Sequence, residues 1–139
     1  MRPVVARSGF IVKTISKVLL VDDEPHIRRI GELSLKGVGK WIAVLAPSGT
    51  DALAIAEREQ PDLILLDVMM PGMDGPATLQ QLRATESTAK IPVIFMTAKV
   101  QKHEVDKYLA AGAIGVIPKP FDPMALPSLI LQILSGANQ

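Results

Sequence analysis

The side chains that could do chemistry in this chain stand directly after short apolar runs. The clearest case is the stretch PDLILLDVMMPGMDG, where the run Leu63–Leu66 ends in Asp67 and then in a turn rich in proline and glycine. A continuous apolar run of this length, bounded by turn residues, is typical of a strand that is buried on both faces. Ligands bind at the carboxyl ends of such strands in open α/β sheets, so Asp67 is a candidate functional carboxylate.

Three other apolar runs also end in polar or charged side chains. These are Asp22, Asp23 and Glu24 after Val18–Val21, Thr97 with the small Ala98 after Pro92–Met96, and Lys119 with Pro120 after Ala113–Ile117. If the first and third strands are neighbours, their ends lie about 5 Å apart and the carboxylates converge. Because like charges repel unless a cation lies between them, Mg²⁺ with its preference for oxygen ligands fits such a cluster. A lysine and a hydroxyl at the same edge would bind an anion, so the set is suited to a phosphoryl group with Asp67 as nucleophile.

From Lys17 onward, the pattern of the chain predicts strands and helices in alternation. The predicted strands are Val18–Val21, Trp41–Leu45, Leu63–Leu66, Pro92–Met96 and Ala113–Ile117. The predicted helices are one opened by Pro25 and ended by Gly37 and Gly39, then Thr50–Gln60, Gly75–Ala84, Val100–Ala111, and a last helix capped by Asp122 with Pro123 at its first position. Five strands that are each followed by a helix predict a parallel sheet with helices on both faces.

Two details of the helices are also predicted. The first helix should turn Ile27, Ile30 and Ser34 toward the sheet, because these residues share one helical face. In the last helix Pro127 stands about one turn inside the predicted start, where a backbone N–H is normally bonded. We therefore expect a mild distortion at Pro127.

Length and composition favour one globular domain of 139 residues. We expect a flexible extension at residues 1–16, the domain at residues 17–135 and a short tail at residues 136–139. The extension holds three basic side chains and no acid, so the body is mildly acidic and a nucleic-acid-binding surface is not expected. The absence of cysteine excludes disulfides and thiol chemistry. No apolar stretch approaches the roughly 18 residues of a membrane span, and we expect a cytoplasmic protein.

Taken together, four segments resemble the receiver domain of bacterial two-component response regulators. The segments are VLLVDDEP, LILLDVMMPGMDG, IPVIFMTA and GVIPKPF, and the resemblance covers Lys17 to Leu134. It implies a flavodoxin-like (βα)5 three-layer sandwich whose parallel five-stranded sheet has the order 2-1-3-4-5.

The resemblance also implies a role for each site residue. Asp67 is the phosphoacceptor. Mg²⁺ is held by Asp22, Asp23, Asp67 and the backbone carbonyl of Met69. Lys119 contacts the phosphate, and Thr97, beside the small Ala98, moves toward the phosphate. The bond between Lys119 and Pro120 is expected to be cis. The chain would then catalyse its own phosphorylation and dephosphorylation without being a turnover enzyme.

The resemblance further implies two kinds of partner. The phosphoryl donor would be a sensor histidine kinase or a histidine phosphotransfer protein. An unidentified output partner would bind the face formed by helix four, strand five and helix five, and the protein would be a monomer or a weak dimer.

One position departs from the family pattern. Many receivers carry tyrosine or phenylalanine three residues before the lysine, whereas this chain has Val116. A valine cannot make the large ring rotation that accompanies the movement of the threonine. We therefore expect the output change to run through Thr97–Val100 and the fourth helix.

Three classes of function remain open from the sequence. The first is a single-domain regulator, and the second is a receiver that belongs to a larger transcriptional regulator or hybrid histidine kinase. The third is an aspartate-nucleophile phosphatase of related topology, which is disfavoured because such enzymes usually carry the nucleophile after the first strand.

Overall fold

The computed structural model describes residues 4–5, 11–12 and 14–136. Its strands are β1 (Val4–Val5), β2 (Ile11–Val12), β3 (Lys17–Val21), β4 (Ile42–Ala46), β5 (Leu63–Asp67), β6 (Val93–Thr97) and β7 (Gly115–Pro118). Its α-helices are α1 (Pro25–Leu33), α2 (Gly49–Glu59), α3 (Gly75–Ala84), α4 (Lys102–Ala110) and α5 (Leu126–Leu134). The predicted alternation of strand and helix is confirmed, with bounds displaced by a few residues.

Strands β3 to β7 form one parallel sheet in the order β4-β3-β5-β6-β7. Numbered from Lys17, this is the order 2-1-3-4-5, so the flavodoxin-like fold is confirmed. The register pairs Val21 with Leu66 and Asp67 with Met96. Because the carboxyl ends of β3, β5 and β6 are therefore level, the residues that follow these strands lie at one edge of the sheet.

The sheet is covered on both faces, which explains its fully apolar central strands. Every residue of β5 and β6 is buried. One face packs Leu19, Ile64 and Phe95 against α2 and α3, and the other packs Leu20, Leu65 and Ile94 against α5. Alternate residues of each strand thus serve opposite cores, as expected for a three-layer sandwich.

The predicted inward face of the first helix is wrong at Ile30, which is 38% exposed. The residue that lies against the sheet is Gly31, where an added Cβ would stand 2.3 Å from Leu20 Cδ2. This close approach rotates the helix away from the predicted face. The prediction holds for Ser34, which is buried and begins a π-helical turn over Ser34–Val38.

The predicted start of the last helix is also wrong. Asp122 does not cap α5; its carboxylate accepts a hydrogen bond from the backbone N–H of Met124 (2.9 Å) and so stabilises a turn before the helix. The helix begins at Leu126, so Pro127 falls at its second position. A proline there removes no helical hydrogen bond, and the expected distortion has no cause.

The packed body begins before the predicted boundary at Lys17. Ile15 is buried in the core on the α5 side of the sheet, and the carbonyl of Ser16 accepts a hydrogen bond from the N–H of Ile42 (2.8 Å). Further upstream, β1 pairs antiparallel with β2. The expected flexible extension at residues 1–16 and tail at residues 136–139 lie largely outside the described residues and stay predictions. Among the residues described, no helix is long and apolar enough to cross a membrane.

Candidate functional site

The loop between β3 and α1 fixes the first carboxylate of the site. Asp22 is completely buried, and its N–H donates to the carbonyl of Ala46 on the neighbouring strand (3.1 Å). The Oδ1 atom of Asp22 accepts a hydrogen bond from the N–H of Glu24 (2.9 Å). The guanidinium of Arg28, one turn into α1, donates to the carbonyl of Asp22 (2.7 Å). These bonds hold both the backbone and the side chain of Asp22.

The end of β5 places Asp67 beside this loop. Asp67 is 3% exposed. The loop that follows the strand is closed by a hydrogen bond from the N–H of Gly75 to the carbonyl of Val68 (2.9 Å). Only glycine fits at position 75, because an added Cβ would stand 2.5 Å from the carbonyl oxygen of Asp67. Burial, followed by the negative charge of Asp22, raises the pKa of Asp67 to about 6, although Lys119 acts in the opposite direction.

Lys119 reaches this acidic group from the end of β7. Its Nζ lies 2.9 Å from Asp22 Oδ2 and 3.3 Å from Asp67 Oδ1. Burial acts to lower the pKa of Lys119, but the hydrogen bond to Asp22 and the charges of both carboxylates outweigh it and raise that pKa. The side chain is therefore a stable ammonium placed between two buried carboxylates. The peptide bond that follows, between Lys119 and Pro120, is cis.

The carboxylates form a cluster whose chemistry suits a hard cation. One carboxylate oxygen each from Asp22, Asp23 and Asp67 lie within 4.8 Å of one another. Two of these residues are buried and Asp23 is half-buried, so the cluster is open on one side. Oxygen donors in this number, with room for water, match what Mg²⁺ prefers in proteins.

Comparison with known proteins agrees with this geometry. The family model for the response regulator receiver domain matches residues 18–131. The chain belongs to the receiver family. Receivers are signalling modules rather than classical enzymes.

Individual relatives show how this receiver compares with whole proteins. It is 41% identical over 118 residues to the probable transcriptional regulator ycf27 of Cyanophora paradoxa, covering 85% of this chain and 48% of that protein. It is 38% identical over 106 residues to the DNA-binding dual master transcriptional regulator RpaA of Synechocystis sp., covering 76% of this chain and 44% of that protein. The receiver therefore spans about half the length of these two regulators.

A solved structure shows the same fold at nearly full length. The chemotaxis response regulator CheY4 of Vibrio cholerae superposes with a TM-score of 0.79 at 31% identity. The match covers 86% of this chain and 99% of that one. The fold of the sheet and its helices thus recurs in a chemotaxis response regulator.

The remaining predicted site residues of the receiver follow or end β5 and β6, at the same edge of the sheet. Thr97 ends β6, is 2% exposed, and its hydroxyl accepts a hydrogen bond from the N–H of Lys99 (3.0 Å). Ala98 follows it at the surface. Met69 lies in the loop after β5 and is 64% exposed. The structure thus brings Asp22, Asp23, Asp67 and Lys119 into one group, with Thr97 at the end of the next strand.

Val116 takes part in a separate feature, an apolar groove of about 780 Å³ between α4, β7 and α5. Its walls are small or aliphatic side chains: Val100, Val105, Leu109, Ala113, Ile114, Gly115, Val116, Pro118, Ile133, Leu134 and Gly136. The single tyrosine does not fill this groove, because Tyr108 is buried against Phe95 with ring centroids 5.3 Å apart. The groove lies on the face where the sequence predicts an output partner.

Sequence reasoning missed two residues that act on the site. It noted Glu24 as a strand-end acid but gave it no role in a receiver site, whereas its Oε1 lies 4.0 Å from Lys119 Nζ. It gave no role to Arg28, whose side chain folds back onto the loop of Asp22. A basic residue one turn into a helix that follows an acidic loop is the signal that could have indicated Arg28.

Proposed function

We propose that Asp67 of this receiver accepts a phosphoryl group from a sensor histidine kinase or a histidine phosphotransfer protein. The observation that carries the proposal is the position of the Lys119 ammonium, in contact with both Asp22 and Asp67 at the edge of an oxygen-rich cluster. An ammonium held beside a buried carboxylate can balance the charge of an arriving phosphoryl group. The proposal therefore assigns the binding of that group to Lys119 and the nucleophilic attack to Asp67.

The protonation states of both side chains favour this assignment near neutral pH. With a pKa of about 6, Asp67 is ionised in roughly nine of ten molecules at pH 7 and can attack phosphorus. Lys119 stays protonated because its pKa is raised. On phosphorylation, the Lys119 ammonium would pass from the carboxylates to a phosphoryl oxygen. The Thr97 hydroxyl, at the end of the adjacent strand, would then donate to a second phosphoryl oxygen.

The cation that fits this site is Mg²⁺, held by Asp22, Asp23, Asp67 and the backbone carbonyl of Met69. Such an ion would neutralise part of the negative charge on the phosphoryl oxygens. The role of the chain in this part of the site is to hold the carboxylates at fixed positions. For Asp22, that role is carried out by the hydrogen bond that its N–H donates to Ala46 and by those that it accepts from Glu24 and Arg28.

The signal would arise from the charge that phosphorylation adds. A phosphoryl group adds about −1.5 to −2 of charge and would favour one of two conformations of the receiver. We infer that the change runs from Thr97 through Val100 to α4, because Val116 cannot make the ring rotation of an aromatic residue. The output partner would then bind the face of α4, β7 and α5, where the groove lies.

A receiver within a larger regulator is the second candidate, and the length of the relatives favours it. Both regulators compared above are about twice as long as the region they share with this chain. In that case the partner of the groove face would be another part of the same protein. In either case we expect the receiver to meet its donor in the cytoplasm, as a monomer or a weak dimer.

The experiment is labelling with acetyl phosphate and Mg²⁺, followed by intact-mass analysis. We expect a mass increase of one phosphoryl group in the wild-type chain and none in Asp67→Asn, because an amide is not a nucleophile. Asp106→Asn, which changes an exposed acid on α4, is the matched control and should be labelled normally. Labelling of Asp67→Asn would contradict the assignment.

A further inference from the structure

Glu24 stands at the start of α1, but its side chain does not cap that helix. It is the N-cap residue of α1 with extended backbone (φ −92°, ψ 117°). The side chains that usually accept a hydrogen bond from a backbone N–H of the first turn at this position are those of Ser, Thr, Asp and Asn. Among the residues that the structure describes, the Glu24 carboxylate makes no such bond. Something other than helix capping therefore decides where this side chain points.

The Glu24 carboxylate points toward Lys119. Its Oε1 lies 4.0 Å from Lys119 Nζ, and its Oε2 lies 3.5 Å from Nε2 of His26. The Glu24 side chain is 49% exposed, whereas that of Lys119 is 16% exposed. The carboxylate thus lies at the mouth of the site, between the buried ammonium and the solvent.

Glu24 differs from the other three acids of the site. The oxygens that lie within 4.8 Å of one another belong to Asp22, Asp23 and Asp67. Glu24 is outside that group, and it shares with Asp22 and Asp67 only the contact with Lys119, the side chain that we assign to binding the phosphoryl group. Its negative charge would therefore act on the incoming phosphodonor rather than on a metal ion.

We propose that Glu24 is a specificity-determining residue that discriminates against small, doubly charged phosphodonors. Its carboxylate competes with the incoming phosphoryl oxygens for the Lys119 ammonium and repels a free dianion at the mouth of the site. This inference rests on the proposed function of Asp67 as phosphoacceptor.

The reaction that Glu24 would slow is a simple displacement. With acetyl phosphate, an Asp67 oxygen forms a bond to phosphorus, and the bond from phosphorus to the acetyl oxygen breaks. Acetate leaves with the electron pair, so the step needs no proton and no redox partner. Phosphoramidate carries one negative charge fewer near neutral pH, so Glu24 should slow it less.

The test compares the second-order rate constants of phosphorylation by these two donors. Glu24→Gln keeps the shape of the side chain and removes its charge. Glu32→Gln is the matched control, since it removes one acidic charge from the same helix at a site that pairs with Arg29 and Lys36 instead. Asp67→Asn serves as the unlabelled reference.

We expect Glu24→Gln to react with acetyl phosphate about two- to fivefold faster than the wild type, the range set by exposed charge pairs. The gain should be smaller with phosphoramidate, and it should shrink in about 1 M salt, where charges are screened within roughly 3 Å. Glu32→Gln should react like the wild type. Equal gains with both donors, or an equal gain in Glu32→Gln, would overturn the inference because neither reflects a local charge.

A calorimetric titration with Mg²⁺ alone supplies a readout that does not depend on phosphorylation. The dissociation constant of Glu24→Gln should stay within about twofold of the wild type, since its carboxylate lies outside the acidic cluster. A loss of affinity of about tenfold or more would show that Glu24 acts on the metal site, directly or through a ligand, and would overturn the inference.

The outcomes separate this inference from the proposed function. If the wild type is labelled, Asp67→Asn is not, and Glu24→Gln reacts at the wild-type rate, then the inference is wrong and the proposed function stands. If the wild type is not labelled at all, the proposed function fails and the inference fails with it.

Discussion

Strand β7 contributes to two regions of opposite character, one beyond its carboxyl end and one along its length. Beyond its carboxyl end, Lys119 enters a site made of charges, where contacts of 2.9 and 3.3 Å fix the position of each group. Along its length, Gly115 and Val116 line a groove made by the absence of bulk. The geometry of the site depends on ion pairs between its side chains, whereas the groove exists because the side chains that line it are too small to fill the space.

This difference indicates how the two regions respond to substitution. Removing one charge from the site leaves a buried partner without compensation, which is costly and specific. Adding atoms to the groove side of β7 alters packing without touching the charges. We therefore expect the chemistry and the stability of the domain to be separable by substitutions on the same strand.

The largest effect should follow the loss of the ammonium. Lys119→Met removes the cation that contacts Asp22 and Asp67, and we expect phosphorylation by acetyl phosphate to slow by about 100-fold or more. Lys102→Met, which removes an exposed lysine on α4, is the control and should react at the wild-type rate. A loss below about threefold in Lys119→Met would remove Lys119 from the binding of the phosphoryl group.

The buried charge of Asp67 should also affect stability in a pH-dependent way. Because its folded-state pKa is raised from 3.8 to about 6, the folded chain holds a proton that the unfolded chain has lost between these pH values. Stability due to this group is therefore highest below pH 3.8 and falls as the pH rises to about 6. Ionising Asp67 in the folded chain therefore lowers the free energy of unfolding by a total on the order of 3 kcal/mol.

Urea unfolding of Asp67→Asn without Mg²⁺ measures this cost, since asparagine carries no charge at any pH. We expect Asp67→Asn to be more stable than the wild type at pH 7.5, with the advantage vanishing near pH 4. An advantage that is the same at both pH values would show that the effect is not due to ionisation.

A smaller effect should come from the groove side of β7. An added Cβ at Gly115 would stand 2.5 Å from Ile133 Cγ2, so Gly115→Ala should lower the free energy of unfolding by about 1–3 kcal/mol. Gly37→Ala is the control, because among the described residues a Cβ at that position would meet no atom within 4 Å other than those of its chain neighbours and of its own helical backbone. Phosphorylation of folded Gly115→Ala at the wild-type rate would support the separation, and a tenfold loss of rate would contradict it.

The positions of the charged site residues could be predicted because each follows a buried strand. A run such as Leu63–Leu66 must cross the core, so the polar residue after it must emerge at the edge. The convergence of Asp22, Asp67 and Lys119 follows from that rule together with the strand order that the resemblance supplied.

The details that could not be predicted depend on tertiary contacts between distant elements. Helical periodicity favours Ile30 over Gly31 as an inward residue, and only the close approach of Leu20 reverses the choice. Pro123 and Pro127 are both acceptable near a helix start, so the sequence alone could not decide between them. The orientation of Glu24 depends on Lys119, which lies nearly a hundred residues further along the chain.

The most direct test of the central claim is to locate the phosphoryl group. The chain is treated with acetyl phosphate and Mg²⁺, the acyl phosphate is reduced with borohydride, and the digested peptides are analysed by mass spectrometry. We predict that the reduced residue is Asp67 and that Asp22 and Asp23 remain unmodified. Reduction at Asp22, Asp23 or any residue outside this cluster would contradict the account.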